Sequence, residues 1–286
     1  MGRLLKKLDY ATETVDTQMG KFQCLTGNTL KLIAVTTMLI DHLCKIVLQW
    51  LLGNYWFPMM EAGTLTWEQY LKIDYFIRFD LQGVGTIAFP LFCFLLAEGY
   101  LHTKNRKRYI GMMLVFAIIS EIPFDIGFFS NFSMQERTFP FYWHYQNVFF
   151  TLFLSLVSLV CVDRFSAKSD KRNNKIKSIL LQIISVAVIS IIAEVIHCDY
   201  GLVGVLFVLA FYICRRNRLY QILLFILSYM VATGNQPTIF IMIACILILL
   251  YNGKRGTIKL KYSVYAFYPI HISLLYFVTV ILGKLI

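Results

Sequence analysis

The sequence predicts an all-α membrane protein, a polytopic bundle of about nine transmembrane helices. The 286 residues are 58% hydrophobic and only 15% charged, with a mean hydropathy of +0.65, whereas soluble domains carry about 25% charged residues. Several apolar runs reach the roughly 20 residues that cross a bilayer as a helix. These runs are continuous, as in 178–196, and this excludes the alternating strands of a transmembrane barrel.

Nine apolar segments carry the prediction. They form a single transmembrane domain, 29–286, after a polar cytoplasmic segment, 1–28, which lacks the apolar core of a signal peptide. The sixth to eighth segments are short, so one of them is a candidate re-entrant helix. The predicted spans are 29–52, 81–101, 109–128, 147–163, 178–196, 200–214, 219–233, 237–251 and 263–283.

Loop charge predicts the orientation. The net charge is +11, and nine spans place all but five of the 27 Lys and Arg residues on one side. The positive-inside rule assigns that side to the cytoplasm, so the N-terminus is cytoplasmic and the C-terminus lies outside the plasma membrane. Because short loops carry this charge, nucleic acid is not a predicted partner. Two long outer loops, 53–80 and 129–146, are expected to cap an outward cavity. The five exceptions are Lys45, Lys72, Arg78, Arg137 and Lys284.

Span one carries Lys31, Asp41 and His42 at positions where charge is costly and usually functional. Lys31 and His42 are 11 residues apart, which is about 1100° of helical rotation, so both lie on one face, roughly 16 Å apart. Lys31 is alternatively a snorkelling anchor, and His42 a hydrogen-bonded core residue. Asp41 is alternatively the i,i+4 partner of Lys45.

Spans three and nine add further candidates. Glu121 and Asp125 share a helix face next to Pro123, which removes a backbone donor and should bend the helix. They form a site wall or, alternatively, a structural pair at the outer interface. His271 in span nine falls at a depth from which it can approach His42. Two further polar residues, Asn147 and Asp199, lie at the outer ends of spans four and six.

Other chemistries have weaker signals. The seven Cys residues form no CxxC pair and lie mostly inside apolar runs, so neither a disulfide framework nor a metal site is predicted. The His and acidic candidates come from three helices without local ligand spacing. The chain contains neither the GxSxG of a Ser hydrolase nor a P-loop.

Six ordered blocks between Leu30 and Tyr276 resemble the TraX family, membrane acetyltransferases named for acetylating the N-terminus of conjugative pilin. Span one is also similar to the basic-x10-His pattern of the wider acyltransferase family 3 superfamily, with Lys31 and His42 in the matching places. The blocks are Leu30–Ala34 leading to Met38 and Asp41–His42, Ile87–Phe92 leading to Glu98–Gly99, Ile119–Asp125, Asn147–Leu152, Asp199–Gly201 leading to Gly204–Leu206, and Phe267–His271.

The resemblance implies an enzyme that moves an acetyl or other acyl group from cytoplasmic acyl-CoA to an extracytoplasmic acceptor. The acceptor is a hydroxyl or amine of a glycan, lipid-linked sugar or peptide, and acetyl-CoA is a co-substrate. The expected catalytic residues are His42, Asp41, Glu121 and His271. The expected CoA-binding residues are Lys31, Arg106, Lys107 and Arg108. The expected acceptor-binding residues are Asp125, Asn147 and Asp199.

Two other function classes remain open. In a proton-coupled transporter, His42, Glu121 and His271 would form a proton relay. Transporters often contain two repeated halves, and the sequence contains no internal repeat. In a non-enzymatic membrane scaffold, Asp41 and His42 would tolerate substitution.

Overall fold

The computed structural model describes residues 22–129, 142–166, 172–257 and 262–286, and these ranges contain nine helices and no strand. The all-helical prediction is confirmed for this part of the chain. The helices are α1 Gly27–Glu61, α2 Trp67–His102, α3 Arg106–Phe129, α4 Val148–Ser166, α5 Arg172–Val195, α6 Gly201–Ile213, α7 Arg218–Thr233, α8 Ile239–Leu249 and α9 Ser263–Leu285.

Six of the nine helices, α1 to α5 and α9, are long and apolar enough to cross a membrane, which makes this a multi-pass membrane protein. The other three, α6 to α8, contain 13, 16 and 11 residues. At 1.5 Å per residue they are about 20, 24 and 17 Å long, less than the roughly 30 Å of a bilayer core. The predicted count of nine spans therefore remains a prediction.

The prediction of an outer loop at 53–80 is wrong, because most of these residues are helical. The first two helices contain 35 and 36 residues, so each is about 50 Å long and extends well past its predicted span. The short turn between Glu61 and Trp67 joins them, and the Thr66 side chain caps the start of α2. The second predicted outer loop, 129–146, lies mostly outside the described residues, which omit 130–141.

Three π-helical segments interrupt these two long helices. They cover Leu43–Leu48 and Leu52–Trp56 in α1, and Phe76–Leu81 in α2. A π turn has one extra residue between hydrogen-bonded groups, and such turns occur frequently at functional sites. The first π segment begins directly after His42, so the regular α-helix from Gly27 to His42 keeps the 100° spacing that relates Lys31 to His42.

The second half of α2, Ala88–His102, forms the centre of the bundle. It packs against α1, α4, α6 and α8, and most of its side chains are buried. Phe94 at its middle is fully buried between the edges of Phe211 and Tyr251, with ring centroids 5.6 and 5.3 Å away. The segment is apolar from Ala88 to Ala97, as a helix enclosed by other helices requires.

One end of the bundle, here called the basic end, collects the Lys- and Arg-rich loops. The Gly27 amide donates to the Lys254 carbonyl over 2.8 Å, which joins the start of α1 to the segment after α8. Asp163 in α4 accepts hydrogen bonds from Arg106 Nη1 at 2.6 Å and from the Tyr100 and Tyr212 hydroxyls. One carboxylate therefore ties four helices together at this end.

The two described chain ends lie at opposite ends of the bundle. Gly27 belongs to the basic end, whereas Gly283 near the end of α9 lies against the Trp50 ring, beyond His42 on α1. This arrangement fits an odd number of crossings. The cytoplasmic location of the basic end remains a prediction from loop charge.

Cysteine labelling tests this orientation. In a variant without native Cys residues, we expect a membrane-impermeant maleimide to label Lys284→Cys in intact cells, because that position lies far from the basic end. Arg216→Cys, in a basic loop, should be labelled only after permeabilisation. Labelling of both positions from the same side would contradict the predicted topology.

Candidate functional site

Two histidines from the first and last helices meet in the interior. His42 Nδ1 lies 2.6 Å from His271 Nε2, and the two rings are parallel within 5°. Their exposed fractions are 8% and 4%. The other ring nitrogen of His271, Nδ1, lies 2.7 Å from the Phe267 carbonyl oxygen one turn earlier in α9. The structure thus brings together two of the residues that the sequence singled out.

The hydrogen-bond chain fixes the proton positions of both rings when they are neutral. A carbonyl oxygen only accepts, so His271 Nδ1 carries the proton that it shares with Phe267. His271 Nε2 is then an acceptor, and His42 Nδ1 donates to it. His42 Nε2 is consequently left with a free lone pair, and this is the protonation state that a general base requires.

An ion pair lies next to the Nε2 side of the His42 ring. Asp41 Oδ2 lies 3.9 Å from His42 Nε2 and 2.7 Å from Lys45 Nζ. The alternative pairing of Asp41 with Lys45 is therefore present together with the approach to His42. The backbone of α2 passes close by, because a Cβ atom at Gly85 would overlap the Asp41 side chain. A glycine at position 85 is what leaves room for this carboxylate.

A cavity of about 360 Å³ opens beside His42, on the side away from the basic end. It is enclosed by parts of α1, α2, α3 and α9 together with the residues around Tyr145 and Asp199. Its polar wall consists of Asp41, His42, Lys45, Gln49, Gln82 and Asp199. Its aromatic wall consists of Phe89, Phe92, Phe124, Phe128, Phe129, Tyr145, Tyr200 and Tyr268.

The turn between α5 and α6 delivers two of these wall residues. The Asp199 amide donates to the Gln146 carbonyl over 2.8 Å, and its carbonyl accepts from the Thr151 hydroxyl. Burial raises the pKa of the Asp199 carboxyl to about 6. The Lys45 ammonium lowers this pKa by a smaller amount, and the Asp41 carboxylate raises it. Tyr200 adopts a left-handed φ of 65° and stacks on Phe89 with ring centroids 3.5 Å apart.

Glu121, Asp125 and Asn147 form a second cluster, and none of them lines the cavity. Glu121 accepts from the Asn147 side-chain and backbone nitrogens, and the same side-chain nitrogen donates to the Ala117 carbonyl over 2.8 Å. Asp125 accepts from the Tyr142 amide at 2.8 Å. The two acids therefore share a face, as predicted, and that face holds the segment before α4. They do not contact His42 in the structure.

The four expected CoA-binding residues lie at or toward the basic end, but in different environments. Arg106 is engaged with Asp163 and stacks over the Tyr100 ring at 4.3 Å. Arg108 Nη2 donates to the Tyr262 hydroxyl over 3.3 Å. Lys107 is exposed, and Lys31 is half-buried in the first part of α1. Whether these four residues bind a donor remains a prediction.

Sequence reasoning missed much of the cavity wall. Gln49 and Gln82 are polar residues at the edges of apolar spans, a signal that would have identified them; their side chains meet at 3.5 Å. The aromatic wall residues have no distinguishing signal, since aromatic side chains occur throughout the spans. Within the described residues, no group of three or more His, Cys, Asp or Glu side chains is arranged to hold a metal ion.

A protein-family model described as TraX protein matches residues 26–279. The chain belongs to the TraX family. It is 28% identical over 262 residues to a probable fimbrial assembly protein FimC, serogroup H1, from Dichelobacter nodosus, an alignment that covers 86% of this chain and 92% of that protein. No solved structure matches the chain. The wider link to the acyltransferase family 3 superfamily remains an expectation from span one.

The Asn147 cluster generates a stability prediction. Asn147→Ala removes the side-chain donor to Glu121 and Ala117 and the acceptor for the Phe149 amide. Leaving a buried polar group without its partner costs about 1–3 kcal/mol, so we expect a lower unfolding temperature in detergent micelles. The control is Asn54→Ala, which removes an exposed Asn. Equal unfolding temperatures for the two variants would contradict the structural role of Asn147.

Proposed function

We propose that this TraX family protein is a membrane acyltransferase that moves an acetyl group from cytoplasmic acyl-CoA to a hydroxyl or amine on the outer side of the plasma membrane. The observation that carries the proposal is the hydrogen-bond chain from the Phe267 carbonyl through His271 to His42. It leaves the lone pair of His42 Nε2 at the wall of a cavity large enough for a substrate group.

In the proposed reaction His42 is the general base. The acceptor hydroxyl or amine gives its proton to His42 Nε2 while its oxygen or nitrogen attacks the thioester carbonyl carbon. The C–S bond then breaks, and the imidazolium returns the proton to the CoA thiolate. His271 keeps its bond to His42 Nδ1 throughout, so the ring is held in the tautomer that the next cycle needs, as an orienting residue does in a catalytic triad.

The charges around His42 suit a transient imidazolium. Asp41 Oδ2, 3.9 Å from Nε2, is close enough to stabilise the positive ring, because opposite charges attract strongly in a poorly solvated site. Lys45 shares that carboxylate at 2.7 Å. This pairing offsets part of the cost of burying the Asp41 carboxylate inside the bundle, where an unpaired charge would be costly.

The proposed substrates approach from opposite ends. The Lys- and Arg-rich loops of the basic end attract the phosphates of acyl-CoA through long-range electrostatics, and Lys107 is among the exposed candidate residues. Arg106 contributes less directly, since Asp163 holds one of its nitrogens. Asp199 and the two glutamines of the cavity wall, Gln49 and Gln82, are placed to contact the acceptor.

The comparison with the probable fimbrial assembly protein supports a role in a pilus-related process. The acceptor would then be a peptide or glycan of a surface appendage or of the envelope around it. Mass spectrometry of envelope glycans and peptides, with and without the protein, would reveal a gain of one acetyl unit on that acceptor.

Substitution of His42 tests the reaction. Membrane vesicles that contain the protein are supplied with labelled acetyl-CoA, and label is counted in envelope glycans and peptides. We expect His42→Ala to lower the rate about 10²- to 10⁴-fold, because general base catalysis contributes that much. His102→Ala is the matched control, since the His102 side chain is 72% exposed.

Two results would count against the proposal. Transfer by His42→Ala at the rate of the His102→Ala control would remove His42 from the reaction. Proton-driven flux in liposomes without any CoA compound would favour the transporter alternative.

Substitution of His271 gives a graded prediction. A Gln side chain offers a carbonyl oxygen that can accept from His42 Nδ1, whereas Ala offers no acceptor. We therefore expect His271→Gln to retain more transfer activity than His271→Ala, with both below the wild type in the same vesicle assay. Equal rates for the two variants would show that orientation of the His42 tautomer does not limit transfer.

A further inference from the structure

Tyr268 lines the cavity, and its ring contacts both histidines. It is 2% exposed and lines the cavity beside His42. Its ring meets the His42 and His271 rings edge to face, at centroid distances of 5.6 and 5.8 Å. Tyr268 and His271 are three positions apart on α9, so the two side chains share a helix face.

The N-terminus of α4 lies beside Tyr268. The Val148 backbone amide, at the first position of that helix, faces its hydroxyl. Such an amide has no partner within its own helix. Phe149 fixes the ring from the side, edge to face at 5.0 Å. Since Val148 and Tyr268 both line the cavity that His42 lines, the hydroxyl end of the side chain belongs to the same space.

This arrangement leaves the O–H of Tyr268 available as a donor. A phenol has one donor hydrogen and two acceptor lone pairs. The positive end of α4 points toward the hydroxyl oxygen and favours negative charge nearby. The Asp199 and Glu121 carboxylates are the charges that face the hydroxyl.

We infer that Tyr268 donates its hydroxyl hydrogen bond to the oxygen that becomes negative when the acceptor attacks the thioester carbonyl. The inference rests on the proposed acyl transfer. Attack at the carbonyl carbon moves the C=O π electrons onto oxygen, and collapse of that oxyanion expels the CoA thiolate, which takes the proton held on His42. A donor fixed in place before the reaction stabilises the charge as it develops. Tyr268 keeps its own proton through the cycle.

Two members of the second cluster, Glu121 and Asn147, have an indirect role in the proposed step. Asn147 precedes Val148, and Glu121 accepts from both the side chain and the backbone of Asn147. These bonds fix where α4 begins and thus where the Val148 amide faces the Tyr268 hydroxyl. Glu121 and Asn147 act here as positioning residues that do not touch the reacting atoms.

The test compares turnover in the labelled acetyl-CoA vesicle assay. We expect Tyr268→Phe to lower kcat about 10²- to 10³-fold, as removal of one oxyanion donor does, with little change in the KM for acetyl-CoA. Tyr265→Phe is the control, because that residue lies one turn earlier on α9 and outside the cavity wall. Fluorotyrosines placed at position 268 supply a second readout, since a more acidic hydroxyl is a stronger donor and should raise kcat above that of Tyr268→Phe.

The outcomes separate the two proposals. If the wild type transfers label and Tyr268→Phe matches the Tyr265→Phe control, the oxyanion role is overturned and the acyltransferase proposal stands. Fluorotyrosine rates that do not follow hydroxyl acidity also overturn it, because a purely structural hydroxyl bond would not track acidity. If the wild type transfers no label from acetyl-CoA, both proposals fail together.

Discussion

The hydrogen bond between His42 and His271 is the interaction on which the rest of the site depends. It joins the first helix to the last one, so the site forms only when the whole chain has folded. Close packing around the bond makes it possible. A Cβ atom at Gly127 would lie 2.5 Å from Ile272 and 3.4 Å from Ile46, so the glycine lets α3 approach both helices directly beside the two rings. A neutral imidazole pair also avoids the cost of burying a charge.

The bundle separates its charged groups into two kinds. At the basic end, Asp163 binds Arg106 and two tyrosine hydroxyls, and the arrangement stabilises the junction of four helices. At the other end, the Asp41–Lys45 pair lies at a cavity wall with Lys45 one-third exposed. The groups around Asp163 form hydrogen bonds with one another, and they stabilise the packing of the helices. The second keeps a histidine nitrogen, a carboxylate and an ammonium beside open space, which is what a site that handles polar substrate groups requires.

Sequence reasoning reached the elements that composition and helical spacing determine. Apolar runs located the nine helices of the described residues, and the cost of burying polar groups singled out His42, Asp41 and His271. It could not locate the ends of α1 and α2, because the polar and aromatic residues of 53–80 resemble a loop while they form helix. The π turn after His42 was also out of reach, since one extra residue per turn leaves no mark on an irregular apolar pattern. Glu121 shows a third limit: its spacing fixed its helix face, but only the fold determines that this face meets Asn147 and not His42.

One stretch of α1 supplies both the proposed base, His42, and the Asp41–Lys45 ion pair beside it. Asp41 and His42 are adjacent, so in a regular helix their side chains diverge by about 100°. Lys45 follows within the π segment Leu43–Leu48, where the wider turn changes the direction of each later side chain. The Lys45 ammonium reaches Asp41 Oδ2 at 2.7 Å, and that same oxygen remains 3.9 Å from His42 Nε2. The i,i+4 spacing of Asp41 and Lys45 would bring them together in a regular helix as well, so the π segment chiefly alters the direction of the side chains that follow. The regular helix before it carries the chain back to the basic end.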